Sequence, residues 1–361
     1  MKISAESSEK IKAIGFLCTL LVVPIHCTTI SGCGEVPGWI VALQAVGCDT
    51  ISRLAVPWFF IIAGFFLALG FQKSDTQLFA FTSRLHLNSW LSVIRKRFVS
   101  LLIPYFLWNI IYYLFKLATG KYGFDLLHAL DQLIGYNPYE VPACGQLWYV
   151  RCLFVYVLFA PVFWWACGGV ETCRPTVRPW LVVAALYLAW FVGMPLPWKY
   201  MQFTDWSYLA YFATGFALAS PEGMLDAGWR MREKGVAGLF FISAVIVVYA
   251  KVVGCLEMTG WANKVMIVSG LPTLWFAGDW VVKVLTPMKA FWGFGFFIYA
   301  AHVIFVSIAR KIFAIGLHGN AYDSIGYVGI IGTAIICPIV VAVVMKKNCP
   351  KALGLLCGGR V

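Results

Sequence analysis

The sequence predicts an all-α, polytopic transmembrane bundle of about ten helices, with both termini on the cytoplasmic side. First, 61% of the 361 residues are hydrophobic and only 12% are charged, whereas a soluble domain carries about 25% charged residues. Second, continuous apolar runs near the roughly 20 residues a helix needs to cross a bilayer fall at about 11–30, 51–71, 98–118, 147–166, 179–196, 206–220, 236–254, 263–281, 291–316 and 326–345. Third, the basic residues concentrate in alternate connections.

Taken in order, the N-terminus places Lys2, Lys10 and Lys12 before an apolar run. That run is too long for an ordinary signal-peptide core and has no small-x-small cleavage site, so it is read as an uncleaved first span. The connection after span 1, 31–50, has no Lys or Arg; the one after span 2 holds Lys73, Arg84, Arg95, Lys96 and Arg97; the next, 119–146, has only Lys121. The alternation continues through Arg174 and Arg178, then Arg230, Arg232 and Lys234, then Lys283 and Lys289, and ends with Lys346, Lys347, Lys351 and Arg360. By the positive-inside rule these sites are cytoplasmic. Much of the net charge of +12 is therefore topology and not a nucleic-acid footprint. A β-barrel is disfavoured, because barrel strands alternate in polarity and are only about 9–11 residues long. Residues 1–361 are read as one integral-membrane domain, with no repeat or low-complexity linker. The polar stretches 72–97 and 119–146 are each long enough for an interfacial helix.

The twelve cysteines form no metal pattern: Cys167 and Cys173 are separated by five residues with no histidine nearby. No metal is expected. Cys33 and Cys48 flank one short segment on the outer side, where an oxidising compartment permits disulfides, and are expected to pair.

His26 lies in the apolar phrase Leu20-Leu21-Val22-Val23-Pro24-Ile25-His26. An ionisable side chain at membrane depth costs several kcal/mol without a partner and marks a functional site by default; the alternative is a histidine bonded to a carbonyl or water near a span end. It lies 14 residues beyond Lys12, about 21 Å along a helix, in the outer half. Arg53 and Arg151 stand about one turn into spans 2 and 4 at the same level. Such arginines either face a polar interior or snorkel to headgroups. Deeper, His302 and Tyr299 are three residues apart on one helix face, near the midplane of span 9. The pair suits substrate binding, or else a structural bond to a neighbouring helix.

Arg95-Lys96-Arg97 closes the second cytoplasmic connection. Such a cluster serves topology or lipid headgroups, and it equally suits a multiply phosphorylated donor such as coenzyme A. Walker, G-x-G-x-x-G, serine-elbow and H-E-x-x-H patterns are absent. An imidazole at depth, arginines at its level and basic residues on the donor side fit transfer of an activated group to a hydroxyl. Histidine then acts as general base or briefly carries the acyl group.

These residues fall within a longer ordered pattern: Leu21-Val22-Val23-Pro24-Ile25-His26; Arg53 through Phe66; Lys96-Arg97 through Leu102-Ile103-Pro104-Tyr105; Leu147-Trp148-Tyr149; Tyr211-Phe212-Ala213-Thr214-Gly215; and Tyr299 with His302. The chain resembles the acyltransferase 3 family of integral-membrane O-acyltransferases in the order and spacing of these phrases. The resemblance implies a ten-helix bundle in the bacterial cytoplasmic membrane. It would use cytoplasmic acyl-CoA, acetyl-CoA first, to acylate a hydroxyl of an envelope glycan or lipid-linked sugar. It implies His26 as the catalytic histidine; Arg53, Trp148, Arg151, Tyr299 and His302 on the substrate side; and Arg95, Lys96 and Arg97 at the donor. Two positions depart from the family pattern. Gly15 stands where members often carry Arg or Lys, and Ala63 replaces the serine of a Ser-Gly pair. The alternative reading is a transporter or sensor for a small amino acid or glycan on the same scaffold, since similar membrane domains occur fused to serine racemases.

Overall fold

The computed structural model describes residues 3–30, 36–73, 84–134, 142–167, 177–193, 206–219, 230–255 and 257–360. These residues are 88% helical and contain no strand. Among the described residues each apolar run of the sequence carries helix. In chain order the helices are α1 (Ala5–Ile25), α2 (Gly38–Ala45), α3 (Ala55–Lys73), α4 (Arg84–Arg97), α5 (Ile103–Ala118), α6 (Leu126–Ile134), α7 (Trp148–Ala166) and α8 (Arg178–Val192). They continue with α9 (Leu209–Leu218), α10 (Arg230–Val252), α11 (Glu257–Phe276), α12 (Gly278–Leu285), α13 (Gly295–Gly316), α14 (Gly319–Ala321), α15 (Tyr327–Asn348) and α16 (Pro350–Leu356). Among the described residues six helical stretches are long and apolar enough to cross a bilayer. The four other runs differ for identifiable reasons: α8 and α9 have only 15 and 10 residues, α1 opens on Glu6, Glu9, Lys10 and Lys12, and α11 carries Glu257, Asn263 and Lys264 in its first half.

The chain divides into two compact units. One holds residues 60–227 with 1–3 and 351–361; the other holds 4–59 and 228–350. In the first, Gly64 and Gly215 bring α3 and α9 into backbone contact. A Cβ on Gly64 would strike the Phe212 carbonyl, and one on Gly215 would strike the Ile61 carbonyl and Phe65 amide. Small residues at such crossings let helices pack without a hydrophobic driving force, which lipid cannot supply. In the second unit α10 pairs with α11, α13 with α15, and α1 lies against α12 and α13.

The N-terminus of α1 is set by Ser4, whose hydroxyl accepts the Ser7 amide at 3.0 Å, an N-cap worth about 1 kcal/mol. At its basic start Lys10 pairs with Asp279 at 2.8 Å and lies over the Trp275 ring, while Lys289 pairs with Glu9.

Within 31–50, read from the sequence as a connection, the described residues from Gly38 to Thr50 prove to be helical. From Gly38 the chain runs through α2, a π segment Val46–Thr50 and a 3-10 turn Ile51–Leu54 into α3. The apolar stretch has 34 residues, about 51 Å of helix against a bilayer core of about 30 Å. The charges that seemed to end it are neutralised in place. Arg53 pairs with Asp49 one turn earlier at 2.9 Å, and Lys251 of α10 reaches the other Asp49 oxygen at 3.5 Å. Hydroxyls occupy the widened turn, with Thr50 donating to the Val46 carbonyl at 2.6 Å and Ser52 to that of Gly47. A Cβ on Gly47 would meet Tyr327 and Pro24, so glycine permits this approach. One turn before it, the buried Gln44 amide donates to the Thr29 hydroxyl and the Asp323 carbonyl, both at 2.7 Å.

The expected Cys33–Cys48 disulfide is corrected at one end. Cys33 lies outside the described residues, and Cys48 is a buried free thiol. Its place in the helix turns the sulfur inward, 3.1 Å from the Pro24 carbonyl and 3.3 Å from the Tyr327 hydroxyl.

Candidate active site

His26 terminates α1. Pro24 has no amide hydrogen to continue the ladder, and the helix closes on bonds from His26 N to Val23 O and from Cys27 N to Pro24 O, both 3.0 Å. The last turn of α1 carries no basic side chain, so its exposed carbonyls lack the cation that a helix C-terminus favours. Arg310, on α13, supplies it. One guanidinium nitrogen donates to the His26 carbonyl at 2.9 Å and to the Thr28 carbonyl at 2.7 Å. The backbone around His26 is thereby tied to the helix that carries His302.

The two histidine rings meet, with centroids 5.1 Å apart and planes inclined by 54°. His302 is fully buried, whereas His26 is only partly so. The His302 Nδ1 lies 2.8 Å from the Tyr299 carbonyl and 3.3 Å from that of Ile298. A carbonyl only accepts, so Nδ1 carries the proton and the neutral ring leaves Nε2 as a bare acceptor. That Nε2 is buried and has no protein partner. Leaving a buried polar atom unpaired costs about 1–3 kcal/mol, and such atoms in native structures call for a functional account. The Tyr299 ring is 6.3 Å from His302 and 6.4 Å, edge-on, from Phe59. Arg310 and Arg53 are the cations whose charges act on His26.

Of the residues singled out in the sequence, His26, His302, Tyr299 and Arg53 thus lie in one unit. Arg53 is committed to Asp49, with 46% of its side chain exposed. Trp148, Arg151 and Arg95–Arg97 belong to the other unit. There Trp148 opens α7 and packs among aromatic rings, 5.1 Å from Tyr208 and 6.4 Å from Phe60. Arg151 lies one turn on, its charge near enough to act on the Tyr105 hydroxyl. Arg95 and Lys96 are exposed at the end of α4, and Arg97 is partly buried.

Arg310 was missed, although it carries the same signal as Arg53: a cation inside an apolar run. Gly15, where a basic residue was expected, faces open space, for a Cβ there meets nothing within 4 Å. Its carbonyl accepts the Thr19 hydroxyl at 3.1 Å. Lys12 is exposed and Lys10 is engaged with Asp279, so neither takes up that position.

No curated protein and no solved structure matches the chain. A family model described as an acyltransferase domain matches residues 11–345, a span that includes both histidines, Arg310 and the basic cluster at Arg95–Arg97. The chain therefore belongs to the acyltransferase 3 family and is a membrane acyltransferase.

Proposed function

We propose that this acyltransferase moves an acyl group, acetyl first, from cytoplasmic acyl-CoA to a hydroxyl of an envelope glycan or lipid-linked sugar, in a bacterial cytoplasmic membrane. The observation that carries the reading is the His26–His302 pair, with its bare Nε2. His26, the more accessible ring, takes the proton of the acceptor hydroxyl. The oxygen attacks the thioester carbonyl carbon, the C–S bond breaks, and His26 returns the proton to the departing thiolate. His302 is a positioning residue. Its protonated Nδ1 is fixed by backbone carbonyls, which leaves its Nε2 to take an N–H from the His26 ring when that ring gains the proton and to steady the charge that develops there. General base catalysis of this kind contributes about 10²–10⁴-fold. Arg95, Lys96 and Arg97 supply cations for the donor phosphates, while Arg53, Trp148, Arg151 and Tyr299 serve the acceptor side.

The test is His26→Ala. Transfer from acetyl-CoA should vanish while the protein's level in the membrane stays normal, and wild-type activity in that variant would refute the mechanism. Mass analysis of envelope glycans with and without the gene would identify both acyl group and acceptor.

A further inference from the structure

The second unit carries an open apolar groove of about 490 Å³ between the π segment and α10, within the roughly 300–1,000 Å³ of ligand sites. Val46 and Ile51 line one wall, and Phe241, Val245, Tyr249 and Val252 line the other. Thr50, also in the first wall, spends its hydroxyl on the Val46 carbonyl, so the lining offers hydrocarbon almost throughout. The walls touch at Gly38, where a Cβ would lie 3.2 Å from the Val252 side chain. Between Phe241 and Val252 the groove follows α10 for about 17 Å, about half of a bilayer core of roughly 30 Å. One hydrocarbon chain within a single leaflet fits it.

A charge cluster joins the two walls. Asp49, which precedes Thr50, pairs with Arg53 at 2.9 Å and with Lys251, which precedes Val252, at 3.5 Å. Among the described residues these two cations share one carboxylate, and both stay accessible, with 46% of the Arg53 side chain and 32% of the Lys251 side chain exposed. An unbalanced positive charge beside a hydrocarbon groove matches an amphiphile with a phosphate headgroup. Surrounding lipid tails are as apolar as the groove, so headgroup and chain number decide which lipid it retains. A diacyl phospholipid leaves its second chain outside, whereas an isoprenoid phosphate brings only one. The same helical segment abuts the end of α1: Gly47 lies against Pro24, and the Cys48 sulfur is 3.1 Å from the Pro24 carbonyl, two residues before His26. One helix is about 10–12 Å across, a distance that the headgroup of a glycolipid covers.

We propose that this groove holds the chain of an isoprenoid-type lipid phosphate, with the phosphate on Lys251 and Arg53 and the attached sugar reaching His26. The identity of this lipid as the acyl acceptor rests on the function proposed above, whereas the lipid site stands on its own geometry. Lys251 binds ligand and takes no part in the chemistry at His26.

The test uses the full chain in phosphatidylcholine nanodiscs, with a polyprenyl phosphate, the corresponding polyprenol and phosphatidylglycerol as probes. The wild type should bind polyprenyl phosphate more tightly than polyprenol, and excess phosphatidylglycerol should not displace it. Lys251→Ala should weaken polyprenyl phosphate about tenfold or more, the worth of one hydrogen bond to a charged group, and leave polyprenol unchanged. Val245→Trp fills the groove from an exposed position and should weaken both lipids about tenfold or more. Equal lipid-free unfolding midpoints for wild type and variants show that folding is intact. In turnover, both variants should raise KM for a polyprenyl-phosphate-linked sugar and leave KM for acetyl-CoA unchanged.

Wild-type affinity for polyprenyl phosphate in either variant overturns the site, as does a wild type that binds none. So does displacement by phosphatidylglycerol, which would make the groove an ordinary phospholipid contact. A changed oligomeric mass in Val245→Trp with lipid binding intact also overturns it, and would make the groove an interface between copies of the chain. A wild type that binds polyprenyl phosphate through the groove yet acylates no lipid-linked sugar removes the proposed reaction and leaves the lipid site standing. Acetyl transfer to a lipid-free glycan, unaffected by either variant, does the reverse.

Discussion

His302 owes its chemical character to two backbone carbonyls of its own helix, Tyr299 O and Ile298 O. No side chain is needed to choose its tautomer. His302→Ala should therefore lower kcat by about 10²-fold or more through loss of the acceptor behind His26, with membrane level retained, as single-turnover rates and immunoblotting would show. Arg310 acts one step further from the reaction. Arg310→Ala removes two charge-assisted bonds from the end of α1 and should cost about 2 kcal/mol in stability. It should also lower kcat more than it raises KM, and Arg310→Lys should recover part of both. At this scale the sequence was legible where a titratable residue interrupts an apolar phrase, as at His26 and His302. Arg310 carried the same mark but sits beside Lys311 near the end of its run, and two adjacent cations there resemble an ordinary snorkelling flank.

Helices were legible from their apolar runs, but one boundary was not. Asp49 and Arg53 read as the edge of a span because a charge normally marks water. Here they neutralise one another within a continuing helix and share Lys251. Each such partly exposed pair is worth less than about 1 kcal/mol, so Lys251→Ala should leave thermal stability nearly unchanged. Packing glycines behave differently. Gly215→Ala forces a methyl between α9 and the backbone of α3, at about 1–3 kcal/mol for overpacking, and should lower the unfolding midpoint and yield in the membrane. Gly15→Arg has open space beside its Cβ and gains up to about 1 kcal/mol of helix propensity. It should accumulate normally, which quantitative immunoblotting would check.

For the whole molecule, composition identified a helical membrane protein, and the order of short phrases identified its family over residues 11–345. The placement of Trp148, Arg151 and Arg95–Arg97 in one unit and the histidine pair in the other lies in tertiary packing, which hydropathy does not encode. Orientation was read from Lys and Arg alone. In a cysteine-free background, a cysteine at Lys121 should react with an impermeant thiol reagent in intact cells, and one at Lys289 only after lysis. The π segment Val46–Thr50 carries a different consequence, concerning chain length and not side-chain identity. It accommodates one residue beyond the α-helical count. Deleting any one of the five would convert it to ordinary helix and rotate α2 by about 100° relative to α3. Gln44 would swing away from Thr29 and Asp323, and Gly47 from Tyr327. Along this stretch the protein can exchange letters far more cheaply than it can lose one.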